Sequence, residues 1–209
     1  VSSPTSTEQA EGATRLRNPS VVTWQGTAPT SLESVRLLLG DGRVRASGRL
    51  IVAADPSSGG EPYSASYEAS LDKGEESVRL LLRTTTAEQE RQISLSRAED
   101  GTWLVDHGQN STRDTFGGSV TVHVAGALTF TTLPVRRLGL HRTPGEFEIP
   151  VVHVSLPDLR VRLASQTYRT VSVDERGAVI AFSQGEFSTE LTVDPEGVVV
   201  DFPGVATRV

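Results

Sequence analysis

The 209-residue sequence has no cysteine and no methionine. Without thiols there is no disulfide, no thiolate nucleophile and no iron–sulfur ligation. The chain must therefore be held by packing, and a chain of this length buries roughly 70% of the surface its unfolded form exposes. Aromatic residues are scarce, with two Trp, three Tyr and six Phe, so each one present is informative. Lys73 is the single lysine and arginine supplies the other basic residues. No apolar run approaches the 18 residues or more that a membrane-spanning helix needs; the longest, such as 50–54, are strand-sized. Residues 1–12 lack the charged-then-apolar pattern of a secretory leader. The 26 acidic residues outnumber the 20 basic ones, for a formal charge of −6, which argues against nucleic acid as a partner.

What is present is a succession of short strands. Residues 1–19 hold almost no large apolar side chain and read as a flexible arm, leaving 20–209 as one domain. Segments 35–39 and 43–54 flank Gly40-Asp41-Gly42, a hairpin signal because the turn needs positive φ. After the Pro/Ser/Gly loop at 55–62, Tyr63, Ala65, Tyr67, Ala69 and Leu71 alternate with polar residues, the period of a strand with one buried face. Further strands are expected at 78–84, 89–97, 102–106, 120–124, 151–155 and 159–173, with 108–118 as a loop. A closing meander covers 168–173, 178–183, 186–193 and 198–202. Residues 128–140 read as extended around Pro134. Residues 30–38 fit a short helix as well as a strand. Turn signals every 8–12 residues point to an all-β sandwich, barrel or roll.

Chemical motifs are few. His107, His123, His141 and His153 have no metal-ligand spacing, although His123 and His153 lie in expected strands and could converge. Gly117-Gly118-Ser119 is no nucleophile elbow, since it lacks the glycine spacing and the strand–turn–helix setting. No catalytic residue, metal or cofactor is therefore assigned. The arginine pair in 128–138 stands out. In a strand, Arg136 and Arg137 would project to opposite faces, and the inward one needs an acid or a polar ligand. Its two readings are a structural salt bridge and an anchor for a phosphate or sugar head group. Gln166 and Tyr168, two apart, share a face and suit a hydroxyl-rich ligand. Trp24 and Trp103 are candidates for stacking on a sugar or lining a pocket, beside the commoner fate of core packing.

The same segments carry a family resemblance. They run from Trp24-Gln25-Gly26 and Leu32-Glu33-Ser34-Val35-Arg36-Leu37 to Tyr67-Glu68-Ala69-Ser70-Leu71-Asp72 and Gly101-Thr102-Trp103. Thr132-Leu133-Pro134-Val135-Arg136-Arg137-Leu138 is the strongest, followed by Val154-Ser155-Leu156-Pro157-Asp158-Leu159, Gln166-Thr167-Tyr168 and the close from Val193-Asp194-Pro195-Glu196-Gly197 to Phe202-Pro203. In this order the chain resembles the Putative glycolipid-binding family of bacterial proteins. The resemblance implies a single-domain spiral β-roll, a strongly curved antiparallel sheet resembling a half-barrel. It also implies a glycolipid or other amphiphilic small molecule held on the concave face. The residues expected to hold it are Arg136, Arg137, Gln166, Tyr168, Asp72, Trp24, Trp103 and Tyr67, and the expected compartment is the bacterial cytoplasm. Family members tend to carry acids in the 120–124 strand, where this chain reads Val-Thr-Val-His-Val, so any acid–arginine pairing there is altered. A protein-interaction module and a lipid or sugar ester hydrolase are the alternative functions.

Overall fold

The computed structural model describes residues 19–40, 42–72 and 77–209. The arm assigned to 1–19, save Pro19, lies outside these residues, as do Asp41 of the hairpin turn and Lys73. The first eight strands are β1 (Ser20–Thr27), β2 (Thr30–Leu39), β3 (Arg43–Val52), β4 (Tyr63–Asp72), β5 (Ser77–Thr85), β6 (Glu90–Arg97), β7 (Trp103–Asp106) and β8 (Ser111–Asp114). They form one antiparallel meander. Strict period-2 burial runs through β2 to β5. Residues 30–38 are thus strand, because Val35, Leu37 and Leu39 share the inward phase. The segment 108–118, expected to be a loop, contributes β8, a short polar edge strand whose Arg113 and Asp114 discourage further pairing.

A short 3₁₀ turn, Phe116–Gly118, leads to β9 (Val122–Val124) and then to the helix α1 (Thr129–Leu138). The chain ends with β10 (Glu146–Val154), β11 (Val161–Asp174), β12 (Gly177–Gln184), β13 (Phe187–Val193), β14 (Val199–Phe202) and β15 (Ala206–Arg208). The described strands form one sheet in the order β8 to β1, then β15 down to β9. Two meanders therefore meet at a seam where Trp24 and Gln25 of β1 pair with Arg208 and Thr207 of β15. The β9–β10 pair is parallel.

The sheet curls so far that its β9 edge is rolled inside the other meander. Ser119, just before β9, accepts through its carbonyl from Trp103 Nε1 at 2.8 Å and Arg97 Nε at 3.1 Å. Thr84 Oγ1 donates to the Pro157 carbonyl at 2.8 Å. Val122, Val124, Val152 and Val154 are fully buried and share one core with Leu80, Leu95 and Trp103. Enclosure thus protects an edge that would otherwise be open to pairing. The all-β, single-sheet spiral roll implied by the resemblance is the observed fold.

The segment 128–140 corrects the sequence reading. It is a helix, not an extended run, and it fills the concavity of the sheet. Thr129, Thr131, Thr132 and Val135 are β-branched and favour strands, and Pro134 removes a backbone donor. Burial overrides these preferences: residues 129 to 135 are all buried in the helix. Gly139 closes the helix in the left-handed conformation at φ 72°, and its N–H bonds to the Arg136 carbonyl. Arg136 and Arg137 accordingly sit in a last helical turn, where neighbours diverge by about 100° rather than lying on opposite faces.

Candidate functional site

The inside of the roll is organised by a carboxylate that the sequence reading did not single out. Glu33 stands on β2 in the inward phase and is 2% exposed. Its Oε2 accepts from the Leu128 N–H at 2.5 Å. Its Oε1 accepts from Thr129 Oγ1 at 2.8 Å, the Thr129 N–H at 3.3 Å and the Tyr67 hydroxyl at 2.5 Å. Glu33 therefore satisfies donors at the start of α1 from 95 residues away. Burial raises its pKa above the ordinary 4.5, and these hydrogen bonds oppose the shift. A signal was available: an acid in phase with Val35, Leu37 and Leu39 must either be paired inside or disrupt the strand. Tyr67 has room because Gly48 faces it; a Cβ at 48 would lie 2.2 Å from the Tyr67 ring.

Farther along α1, the Val199 N–H donates to Thr132 Oγ1 at 3.2 Å, while the Val199 carbonyl accepts from Trp24 Nε1 at 2.8 Å. Arg136 Nη1 donates to the Glu196 carbonyl, and Arg137 Nη1 to the Val120 carbonyl at 3.3 Å. Each arginine thus ties the helix to a different part of the roll.

Where α1 ends, a small cavity of about 80 Å³ opens between Arg43, Arg136, Arg137, Arg142 and His141 over an aliphatic floor that includes Leu71 and Leu133. Water occupies about 30 Å³ per molecule, so the cavity has room for one phosphate- or carboxylate-sized group. Asp72 lies at its margin, bonded to Arg43 Nη2 at 2.7 Å and Nε at 3.0 Å. Burial lowers the His141 pKa first, and Arg142 and Arg136 lower it further, so the imidazole is neutral at pH 7.

A second cavity, about 220 Å³, lies at the start of α1. Phe182, Phe187, Phe202 and Leu128 supply its apolar wall, and His123 and Gln184 its polar groups. Burial, with His153 and Arg162 nearby, pushes the His123 pKa down to about 3, which keeps that ring uncharged. His123 and His153 do converge, with ring centroids 5.4 Å apart. Among the described residues no group of three or more His, Cys, Asp or Glu is placed to hold a metal.

The structure separates the expected site residues into three sets. Arg136 and Arg137 line the basic cavity, and Asp72 is joined to it through Arg43. Gln166 and Tyr168 are wholly buried and bonded to each other at 3.0 Å, and Gln166 Nε2 donates to Gln184 Oε1 at 2.7 Å, so that Gln184 is the member that reaches the second cavity. Trp24, Trp103 and Tyr67 are at most 3% exposed, with their polar atoms bonded inside the fold. They pack the core and leave no face for a sugar. Arg43, Arg142, His141 and Gln184 were missed because their neighbours come from distant segments. Ser119 Oγ donates to the Thr121 carbonyl at 2.8 Å and is fully buried.

Comparison with known proteins gives three results. The family model described as Putative glycolipid-binding matches residues 21–208. A crystal structure of a DUF1089 family protein from Pseudomonas aeruginosa is similar, at 24% identity and TM-score 0.66 over 97% of this chain and 100% of the other. So is a beta-barrel-like protein of the domain of unknown function DUF1849 from Brucella abortus, at 10% identity and TM-score 0.54 over 91% and 94%. At these identities the two structures show the fold alone. No curated protein matches the chain.

Proposed function

The chain belongs to the Putative glycolipid-binding family, and from that premise we propose that it binds an amphiphilic, glycolipid-like molecule by an anionic group seated in the basic cavity at the end of α1. One observation carries the reading: Arg43, Arg136, Arg137 and Arg142 surround a space of about 80 Å³ with Leu71 and Leu133 beneath it. Guanidinium groups suit phosphate and carboxylate oxygens because their N–H forks match the acceptor geometry. The aliphatic floor favours the first methylenes of an attached chain, each contributing about 0.8 kcal/mol when buried. A free sugar phosphate would use the arginines but gain nothing from the floor. Binding rather than catalysis is the activity proposed; turnover of generic ester or glycoside substrates by the purified protein would displace this reading.

The test is native mass spectrometry of the purified protein, followed by organic extraction and lipid analysis. We expect a stoichiometric lipid or glycolipid bearing a phosphate or carboxylate. Arg142→Ala, at an exposed rim position, should retain it at least about tenfold more weakly, since hydrogen bonds to charged groups contribute about 1.5–3 kcal/mol. A clean ligand-free mass, with no thermal shift from a panel of acidic glycolipids, would overturn the proposal.

A further inference from the structure

The outer face of β2–β6 carries a pattern that the ligand cavity does not explain. Its outward positions form cross-strand rows in which arginine and serine alternate. Arg45 of β3 and Arg79 of β5 flank Ser70 of β4. Arg49 and Arg83 flank Ser66 in the same way. Arginines two strands apart are about 10 Å from each other across the sheet, and the two rows, four residues apart, are about 13 Å from each other along it. Arg36 of β2 stands beside Ser47, between the rows. All five arginines are exposed, and among the described residues none makes an ion pair. Small serines separate them: Arg36, Arg45 and Arg79 line a shallow saddle of about 570 Å³, and Arg49 and Arg83 line a second hollow that shares Ser47 and Glu68 with it. Among the described residues Glu68 is the one carboxylate within the array, while Asp72 is paired with Arg43 at a strand end and Glu90 begins β6. Five arginines against Glu68 leave a local excess of four positive charges on a chain whose formal charge is −6.

The same face exposes aliphatic side chains. Leu32 and Ile51 are cross-strand partners, 43% and 59% exposed, one row beyond Arg49. Val21, 72% exposed, pairs with Arg36. No aromatic side chain projects from this side of β2–β6, since Tyr63 and Tyr67 lie in the inward phase of β4. A single-stranded nucleic acid would want stacking platforms. An anionic bilayer asks for arginines near the phosphate plane and aliphatic groups at the acyl boundary.

We propose that the outer face of β1–β5 is a docking surface for an anionic phospholipid bilayer, with Arg36, Arg45, Arg49, Arg79 and Arg83 contacting headgroup phosphates and Leu32, Ile51 and Val21 seated between headgroups. It shares no residue with the basic cavity, so either proposal can fail without the other.

Co-sedimentation of the full chain with vesicles tests it. Vesicles of about one part phosphatidylglycerol to two parts phosphatidylcholine should retain the protein, pure phosphatidylcholine should not, and added salt should release it. The double variant Arg45→Gln and Arg79→Gln should bind the anionic vesicles about thirty-fold more weakly, the loss of two arginines at a bilayer surface. Arg169→Gln with Arg176→Gln, which removes the same charge from exposed positions elsewhere, should bind as the parent does. Both pairs are exposed, and unchanged near-ultraviolet circular dichroism will show that the variants fold. Equal weakening by both pairs, retention by neutral vesicles, or tighter binding of a short DNA duplex through the same two arginines would each overturn the proposal.

Discussion

At the scale of single residues, Glu33 decides how the interior is arranged. Its carboxylate is buried beside the first N–H groups of α1 and the Tyr67 hydroxyl. Removing it strips the Leu128 and Thr129 N–H groups of their carboxylate acceptor, while the Tyr67 hydroxyl keeps Thr129 Oγ1 at 2.7 Å. The pH behaviour follows from the direction of its shift. Burial raises the folded pKa above 4.5, so the native state keeps the proton over a range in which the unfolded chain has released it. The stability this supplies is complete below the unfolded value and is lost as pH rises through the folded one. Glu33→Gln abolishes that titration. The urea midpoint of the parent relative to the variant should therefore fall as pH rises from the ordinary 4.5 through the raised folded value; a difference that stays constant with pH would show that Glu33 does not titrate differently in the two states. The two tryptophans teach a related point. Scarcity made Trp24 and Trp103 conspicuous as ligand contacts, yet each is fully buried with its indole N–H on a backbone carbonyl.

At the scale of elements, α1 is where local preference and tertiary structure disagree. Four β-branched residues and a proline within Thr129–Leu138 describe a poor helix in isolation. Acceptors at its start come from Glu33, its middle is fixed by Val199, and its end is closed by Gly139. The closure can be tested separately from the packing. A Cβ at 139 would meet nothing within 4 Å, but the residue holds φ 72°. Gly139→Ala should thus cost about 1–2 kcal/mol of stability through backbone strain alone, read as a lowered denaturant midpoint with an unchanged slope. A loss under a few tenths of a kcal/mol would mean that the turn rearranges freely. The strands needed no such support. In β2 to β5 the alternation of apolar and polar residues already specifies which face is inward.

At the scale of the whole molecule, the two meanders are joined by a narrow seam. β15 is three residues long, pairs with β1 through Trp24 and Gln25, and is followed by Val209, whose N–H bonds to the Thr23 carbonyl at 3.0 Å. Deleting 204–209 should open the sheet beside Trp24. We expect a red-shifted tryptophan emission and a loss of at least about 2 kcal/mol, from the ladder hydrogen bonds and the apolar contacts of Val205 and Ala206. Unchanged emission and stability would show that α1 and the enclosed β9 edge hold the halves together without the seam. Charge is also a property of this scale. The net −6 conceals five exposed arginines on one side of one sheet, a grouping that appears only when strands are set in register.

The sequence by itself determined the β class, the strand phases and most turns, because those depend on neighbours two to twelve residues apart, and the family, because the order of motifs along the chain is carried by the sequence itself. Alternation selects a face, and Gly, Pro and Asp mark turns, whatever the rest of the chain does. The tertiary structure alone decided that 128–140 is a helix, that Glu33 caps it, and that Arg43, Arg137 and Arg142 share one cavity. Those outcomes depend on contacts between segments up to a hundred residues apart, and they exist only once the sheet has curled around α1. Burial there outweighs local propensity, which is worth at most about a kcal/mol per ordinary residue.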